Sequence, residues 1–537
     1  MSSPRLSSPL VRLEESVADP HLMLAFEGTA VPPWMEARLA TAPPAGVTLF
    51  REWNMSSPGQ TAELTTRLQA LNTAQLPLLV AADQEGGQLL GISGSTPFAG
   101  NMALGATGDH DLVFRVTQAM GREMRAVGIN VNYAPCADVA SQADNPSLGI
   151  RSFGDDPTTV ATMTAASVEG FVAAGVLPTV KHFPGKGEAM VDPHYDLPIL
   201  DLDRGRLDTV ELPPFTAAFR AGAPLLMIGH YVVPAITGSR EIPISATEKG
   251  IDGFVRAQLG YEGVIITDAL DMGALDQGPA QVVEIIAMMR AGVDLLLCMP
   301  DPDLQERVRT ALERGFSRGL IPEEKLHVSR ARIEGIRSSL DTDGPNPELV
   351  GSAEHQRLAS ELALRSITLV RDDAGLMPLH LASGARVLSL EPTPSNVTPA
   401  DTTALFPPYL ATGLRSHHQA VTELVYPHDP DNNDITSAVE AAAAHDLVVV
   451  GTVTATAGQA TLVEALLATG KPVVTVALRT PFDLAHYPAA KTHVCTYSSH
   501  HPSMNALASA LFGRSGFPGR LPAAIPDLYP TGHGLIR

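Results

Sequence analysis

Asp192 and His194 stand two residues apart in KHFPGKGEAMVDPHYDLP, residues 181–198, with Pro193 between them and Lys181 and His182 at the head of the stretch. A carboxylate beside an imidazole makes an acid–base pair. The anion raises the proton affinity of the ring and orients it, leaving a group that both gives and takes a proton near neutrality. Pro193 biases Asp192 toward extended backbone, which predicts that Asp192 and His194 share one side of the chain and pair locally. Asp268, in VIITDALDMGA, directly follows Val264, Ile265, Ile266 and Thr267. Such an acid is expected at a strand end, facing an open mouth. It suits either of two roles, an N-cap for the next helix or a nucleophile that attacks an anomeric carbon to give a covalent glycosyl-enzyme. In the second case His194 supplies the acid that protonates the leaving oxygen and then the base that activates water.

Four further residues fit recognition of a sugar. Asp83, in DQEGG, ends an apolar run and is a carboxylate able to accept two hydroxyl hydrogens. Lys181 and His182 directly follow LPTV and are expected on a fixed strand end, whereas Asp192 and His194 ride on a loop. Arg151, in GIRSF, offers a planar fork to a sugar ring or an attached carboxylate, with a surface ion pair as its plainer fate.

Placing these groups together requires elements of a particular kind. Eight short apolar runs recur in the first 300 residues: HLMLAFEG from 21, GVTLFR from 46, LPLLVAADQ from 76, INVNYAP from 129, VLPTVKHF from 176, APLLMIGH from 223, GVIITDAL from 263 and VDLLLCMP from 293. Continuous apolar runs suit parallel strands buried on both faces, and the stretches between them carry helical periodicity. The pattern predicts a (β/α)8 barrel of the TIM type, in which working groups sit at the C-terminal ends of strands. Those ends carry Arg51, Asp83, Lys181 with His182, His230 and Asp268. A polar, turn-rich segment from 340, LDTDGPNPELVGSAEH, marks a boundary. The expected domains are the barrel over 1–340, a linker over 341–355 and a smaller α/β sandwich over 356–537. Five strands are expected in the sandwich, within SITLVRDD, ARVLSLEP, DLVVVGTV, KPVVTVALRT and THVCTYSS, forming a parallel sheet. Neither GxGxxG nor GxxxxGK[ST] occurs there, so nothing argues for nucleotide binding.

Composition narrows the partners. A net charge of −21 argues against nucleic acid or an anionic membrane surface. Residues 1–20 hold no unbroken apolar stretch and no later run reaches membrane-spanning length, which predicts neither export nor insertion. Cys136, Cys298 and Cys495 lie far apart in apolar runs and read as reduced core residues of a cytoplasmic protein.

DQEGG, GIRSFGDDP, KHFPGKG, the DPH dyad and ITDALDMGA, in this order, resemble a glycoside hydrolase family 3 β-N-acetylhexosaminidase of the two-domain, cytoplasmic, muropeptide-recycling type. SITLVRDDAGLMPL, VALRTPFDLAHYP and GRLPAAIP are similar to the family's C-terminal sandwich, so the resemblance spans almost the whole chain. It implies Asp268 as nucleophile, His194 as general acid and base, Asp192 as its partner, and Asp83, Arg151, Lys181 and His182 as ligands of N-acetylglucosamine. It also implies no metal and no organic cofactor, retention of anomeric configuration, and release of terminal β-linked N-acetylglucosamine from muropeptides or chitooligosaccharides. Three positions depart from the family's pattern: Lys186 where it often has His, Pro193 where it often has Ser, and Gly91 where an Arg is common. Three rival readings stay open: phosphorolysis at the same site, a metal-dependent barrel hydrolase using His182, His194, His230, Asp192 and Asp268, and a non-catalytic sugar-binding protein.

Overall fold

A computed structural model describes residues 16–341 and 343–537 of the chain. The reading of residues 1–20 as lacking an export signal falls mostly outside this range. Eight parallel strands close into a barrel: Leu22–Ala25 (β1), Gly46–Thr48 (β2), Leu79–Ala82 (β3), Val131–Asn132 (β4), Leu177–Phe183 (β5), Leu225–Ile228 (β6), Val264–Ala269 (β7) and Leu295–Cys298 (β8). Each pairs with its sequence neighbours, and β1 pairs with β8 to complete the ring. All eight fall within the expected apolar runs.

The strand residues divide by alternation into two buried sets. Met23, Leu79, Ala81, Leu225, Met227, Val264, Ile266, Leu295 and Leu297 pack inside the barrel. Leu22, Leu24, Val80, Leu226, Ile265, Leu296 and Cys298 face the surrounding helices. Because both faces are buried, the strands read as unbroken apolar runs with no polar alternation. Helices begin where side chains satisfy free backbone N–H groups: Asp109 caps His110–Ala126, Asp156 caps Pro157–Ala173 and Asp301 caps Pro302–Ser317.

After the last barrel helix, Glu323–Ser338, the chain forms a second, open sheet. Its strands are Thr368–Asp372 (β9), Val387–Pro392 (β10), Val421–Tyr426 (β11), Leu447–Thr452 (β12), Val473–Ala477 (β13) and Thr492–Cys495 (β14), in the order β9-β14-β13-β12-β10-β11. Two details differ from the expectation of five parallel strands. The sheet has a sixth strand, β11, and β9 runs antiparallel to β14. β11 lies at the edge and exposes Thr422, Glu423 and Val425, so it lacks the apolar signature of its neighbours. Among the described residues no helix is long and apolar enough to cross a membrane. Cys136, Cys298 and Cys495 are free and buried.

Candidate active site

The C-terminal ends of the barrel strands surround a cavity of about 310 Å³. Asp83, Arg151, Lys181, His182, His194 and Asp268 all line it, and Asp192 stands behind His194. Arg51 joins the lining, whereas His230 does not. The His230 ring is committed to Ser245 Oγ at 2.9 Å and to the backbone oxygen of Asp268 at 3.3 Å.

The floor is organised by a residue that the sequence reading passed over. Glu85 sits two positions beyond Asp83 in a hairpin, Gln84–Gly86 paired with Leu89–Leu90, that follows β3. Arg151 grips it bidentately, with Nε to Oε2 at 2.9 Å and Nη2 to Oε1 at 2.8 Å. Lys181 Nζ lies 2.7 Å from the same Oε1 and 2.5 Å from Asp83 Oδ1. Burial opposes the charge on Glu85, but Arg151 and Lys181 outweigh it and hold the carboxyl well below the usual range. Burial likewise pulls the Lys181 ammonium down, and Asp83 and Glu85 keep it above its ordinary value. The fork of Arg151, expected to face a sugar, is taken by Glu85. Glu85 lies within DQEGG, two residues beyond Asp83.

Asp138 was passed over as well. Beyond β4 the chain stays beside β5: Cys136 bridges to Lys181, and Ala137 N donates to Lys181 O at 2.6 Å. This brings Asp138 Oδ2 within 2.8 Å of His182 Nδ1. Burial and the nearby Lys186 ammonium push His182 down to about 4, so the ring is neutral. Its Nδ1–H then donates to Asp138, and its Nε2 accepts from Arg151 Nη2 at 3.3 Å. An acid just past the apolar run INVNYAP was the available signal for Asp138.

Lys186 has a place in this network too. Its backbone N–H donates to Asp138 Oδ1 at 2.8 Å, and its side chain is buried and lines the cavity. Burial, followed by the Arg151 charge, lowers its proton affinity, and no carboxylate oxygen among the described residues lies within 4.0 Å of its Nζ.

Asp192 and His194 pair as expected, but through a different backbone. Residues 192–195 make a turn in which Tyr195 N donates to Asp192 O at 3.0 Å. Pro193 occupies its second position, where a fixed φ suits a type I or II turn, so the local geometry is folded and not extended. The Asp192 Oδ1 accepts from His194 N at 3.0 Å and meets Nδ1 at 2.6 Å. Asp192 is held below the ordinary carboxylate range: burial works against its charge, and the two His194 hydrogen bonds overcome it. The turn is tied to the loop after β7 by Ala274 N to Pro193 O and Gly273 N to His194 O, both 3.1 Å. The loop bearing His194 is thus hydrogen-bonded to the loop that follows the Asp268 strand.

Asp268 ends β7 with one oxygen accepting from Ala269 N at 2.9 Å. Burial opposes its charge; the imidazoles of His182, His230 and His194 and the Ala269 N–H prevail and set the carboxyl at about 2. It is a carboxylate at neutral pH.

Gly91 is packed against the strand that carries Asp83. A Cβ at this position would lie 2.2 Å from the Asp83 backbone oxygen, so no larger residue fits without moving the hairpin. Arg51 approaches from the β2 end, with Nη1 donating to Leu90 O at 3.2 Å beside it. The second domain closes the remaining side, contributing Pro399, Ala400, Asp401 and Thr402 to the lining.

The five residues of the metal-hydrolase reading do not converge on one ion among the described residues. The group that comes within reach is Cys136, Asp138 and His182, whose ligand atoms lie within 4.8 Å of one another. Its chemistry fits a metal poorly. Burial pushes the Cys136 thiol well up, and Asp138 already accepts from Cys136 Sγ, His182 Nδ1 and Lys186 N.

Residues 35–336 match the glycosyl hydrolase family 3 N terminal domain and residues 367–530 the glycosyl hydrolase family 3 C-terminal domain. The chain belongs to glycosyl hydrolase family 3. It is a glycoside hydrolase in the two-domain form of family 3. It is similar to Beta-hexosaminidase A of Pseudoalteromonas piscicida, 35% identical over 382 residues that cover 66% of this chain and 63% of that protein. A Beta-N-acetylglucosaminidase/beta-glucosidase of Cellulomonas fimi is 30% identical over 498 residues, 86% of each. The family 3 beta-N-acetylglucosaminidase structure from Paenibacillus sp. str. FPU-7 superposes with a TM-score of 0.89 at 31% identity, covering 95% of this chain and 99% of that one.

Proposed function

We propose that this chain is a retaining, exo-acting β-N-acetylglucosaminidase that releases terminal β-linked N-acetylglucosamine from muropeptides or chitooligosaccharides. The observation that carries the reading is the meeting, in one cavity, of an ionised Asp268 with a His194–Asp192 pair. The β-hexosaminidase and β-N-acetylglucosaminidase names of the relatives above support the choice of sugar. Asp83 and Lys181 hold the sugar, with Arg151 fixing Glu85 and His182 behind them. Asp268 attacks the anomeric carbon while His194, its Nδ1 engaged by Asp192, protonates the leaving oxygen through Nε2. In the second half of the cycle the same Nε2 takes a proton from water, which attacks the glycosyl-enzyme and releases the sugar with its configuration retained.

The test uses an aryl β-N-acetylglucosaminide and intact-protein mass spectrometry. Quenched wild-type enzyme is expected to carry one added N-acetylhexosaminyl unit, mapped to Asp268, and Asp268→Ala is expected to lose turnover while keeping its fold. Turnover retained by the variant, or an adduct on another carboxylate, would overturn the assignment.

A further inference from the structure

The hairpin that carries Glu85 has its tip, Gly87 and Gln88, buried in the second domain. Gln88 Oε1 accepts two hydrogen bonds from Arg479, from Nη2 at 2.7 Å and Nε at 3.2 Å. Gln88 Nε2 donates to Ala400 O at 2.9 Å, Thr402 N donates to Gln88 O at 2.8 Å, and His500 Nε2 meets Gly87 O at 2.8 Å. Arg479 is itself fixed. Its Nη1 donates to Thr454 Oγ1 at 2.9 Å, and Thr454 holds a φ of +47°, a left-handed conformation that a threonine keeps only where its surroundings demand it.

Arg479 is 6% exposed, and its nearest carboxylate, on Asp401, is 3.7 Å away. A buried guanidinium aimed chiefly at a neutral amide is a poor source of stability, because desolvation is not repaid by a close ion pair. Its planar fork is instead well suited to fixing the orientation of one acceptor. The same guanidinium also presses on the turn that delivers Arg151. At Gly149, with φ +53°, a Cβ would lie 3.0 Å from both Arg479 Nη2 and Gln88 Oε1. Arg479 therefore hydrogen-bonds the segment that carries Glu85 and lies close beside the one that carries Arg151, whose side chains meet at the cavity floor.

We propose that Arg479 is a positioning residue for sugar binding. It clamps Gln88 from the second domain and so fixes the Glu85–Arg151–Lys181 cluster beneath the sugar. The proposal rests on the reading of Lys181 and Asp83 as sugar ligands.

Arg479→Met and Gln88→Met test it, with Arg115→Met as the control. Arg115 forms a bidentate pair with Glu361 of the helix preceding β9, away from the hairpin. Each of the first two variants is expected to raise KM for the aryl glycoside, and the Ki of free N-acetylglucosamine, about tenfold, as loss of one charge-assisted hydrogen bond predicts. The kcat is expected to stay within about threefold, and the double variant to be no worse than either single one, since both act through one contact. Arg115→Met is expected to leave KM unchanged. A lower Tm with unchanged KM in Arg479→Met, or an equal rise of KM in Arg115→Met, would overturn the proposal. If Arg479→Met does not fold, Gln88→Met decides by the same criterion. An unchanged KM in Lys181→Ala would instead overturn the assignment of the sugar ligands. A rise there without one in Arg479→Met and Gln88→Met defeats only the clamp.

Discussion

His194 and Asp192 show how far single residues carry the functional reading. The ring is about one third exposed and its Nδ1 is held by Asp192, a state suited to passing a proton at Nε2. His194→Ala is therefore expected to lose roughly a hundredfold or more in kcat/KM on substrates with poor leaving groups, as loss of general-acid help implies. On nitrophenyl glycosides, whose leaving groups need no proton, the loss of the glycosylation rate should be far smaller. Presteady-state rates on the two substrate types check this, and equal losses would exclude the acid role. Residues of this kind were legible because their type and local spacing are enough to suggest a function. Glu85 and Asp138 were not, because each works by meeting partners distant in sequence: Glu85 meets Arg151 and Lys181, and Asp138 meets His182. Neither has a local pattern that distinguishes it from an ordinary surface acid.

At the scale of elements, the eight barrel strands were legible because burial on both faces writes an unbroken apolar run. β11 escaped because an edge strand with exposed Thr422, Glu423 and Val425 resembles a loop. The hairpin after β3 escaped because its pairing is only a few residues long and its register is irregular. That hairpin nevertheless determines where Glu85 stands, and its tolerance to change is small. Gly91→Ala is expected to raise KM several-fold with little loss of kcat, because the added methyl displaces the strand bearing Asp83 and must shift backbone by about an ångström to relieve the overlap. Titration with N-acetylglucosamine followed by calorimetry measures the effect; unchanged affinity would mean that the hairpin adapts without disturbing the floor. Pro193 was read as favouring an extended backbone, and it sits instead in a turn. The turn brings both hydrogen bonds from His194 onto one Asp192 oxygen.

Over the whole molecule, buried imidazoles make stability depend on pH. His21, His182 and His500 are lowered by burial from 6.5 to about 4, and His493 to about 3. The folded chain keeps these rings neutral in a range where the unfolded chain protonates them, so unfolding takes up protons between about pH 6.5 and 4. Stability from this source is complete above pH 6.5 and falls on acidification, each ring contributing about 1.4 kcal/mol per pH unit within its window. Urea titrations at pH 7.0 and 5.0 should show a lower midpoint at pH 5.0, and His500→Gln should weaken that dependence. A midpoint independent of pH would show that the rings are not buried neutral. The eight barrel strands and five of the six strands of the second sheet were readable from apolar runs, but the order of that sheet and the way the domains meet were not, since Gln88 finds Ala400, Thr402 and Arg479 across more than 300 residues of chain. That separation has a consequence during synthesis. At roughly 5–20 residues per second, the ribosome needs on the order of tens of seconds to make Arg479 after Gln88 has emerged. For that interval the nascent hairpin lacks the Arg479 contact, and Gln88 can be fixed only after the second domain has followed the barrel out of the ribosome.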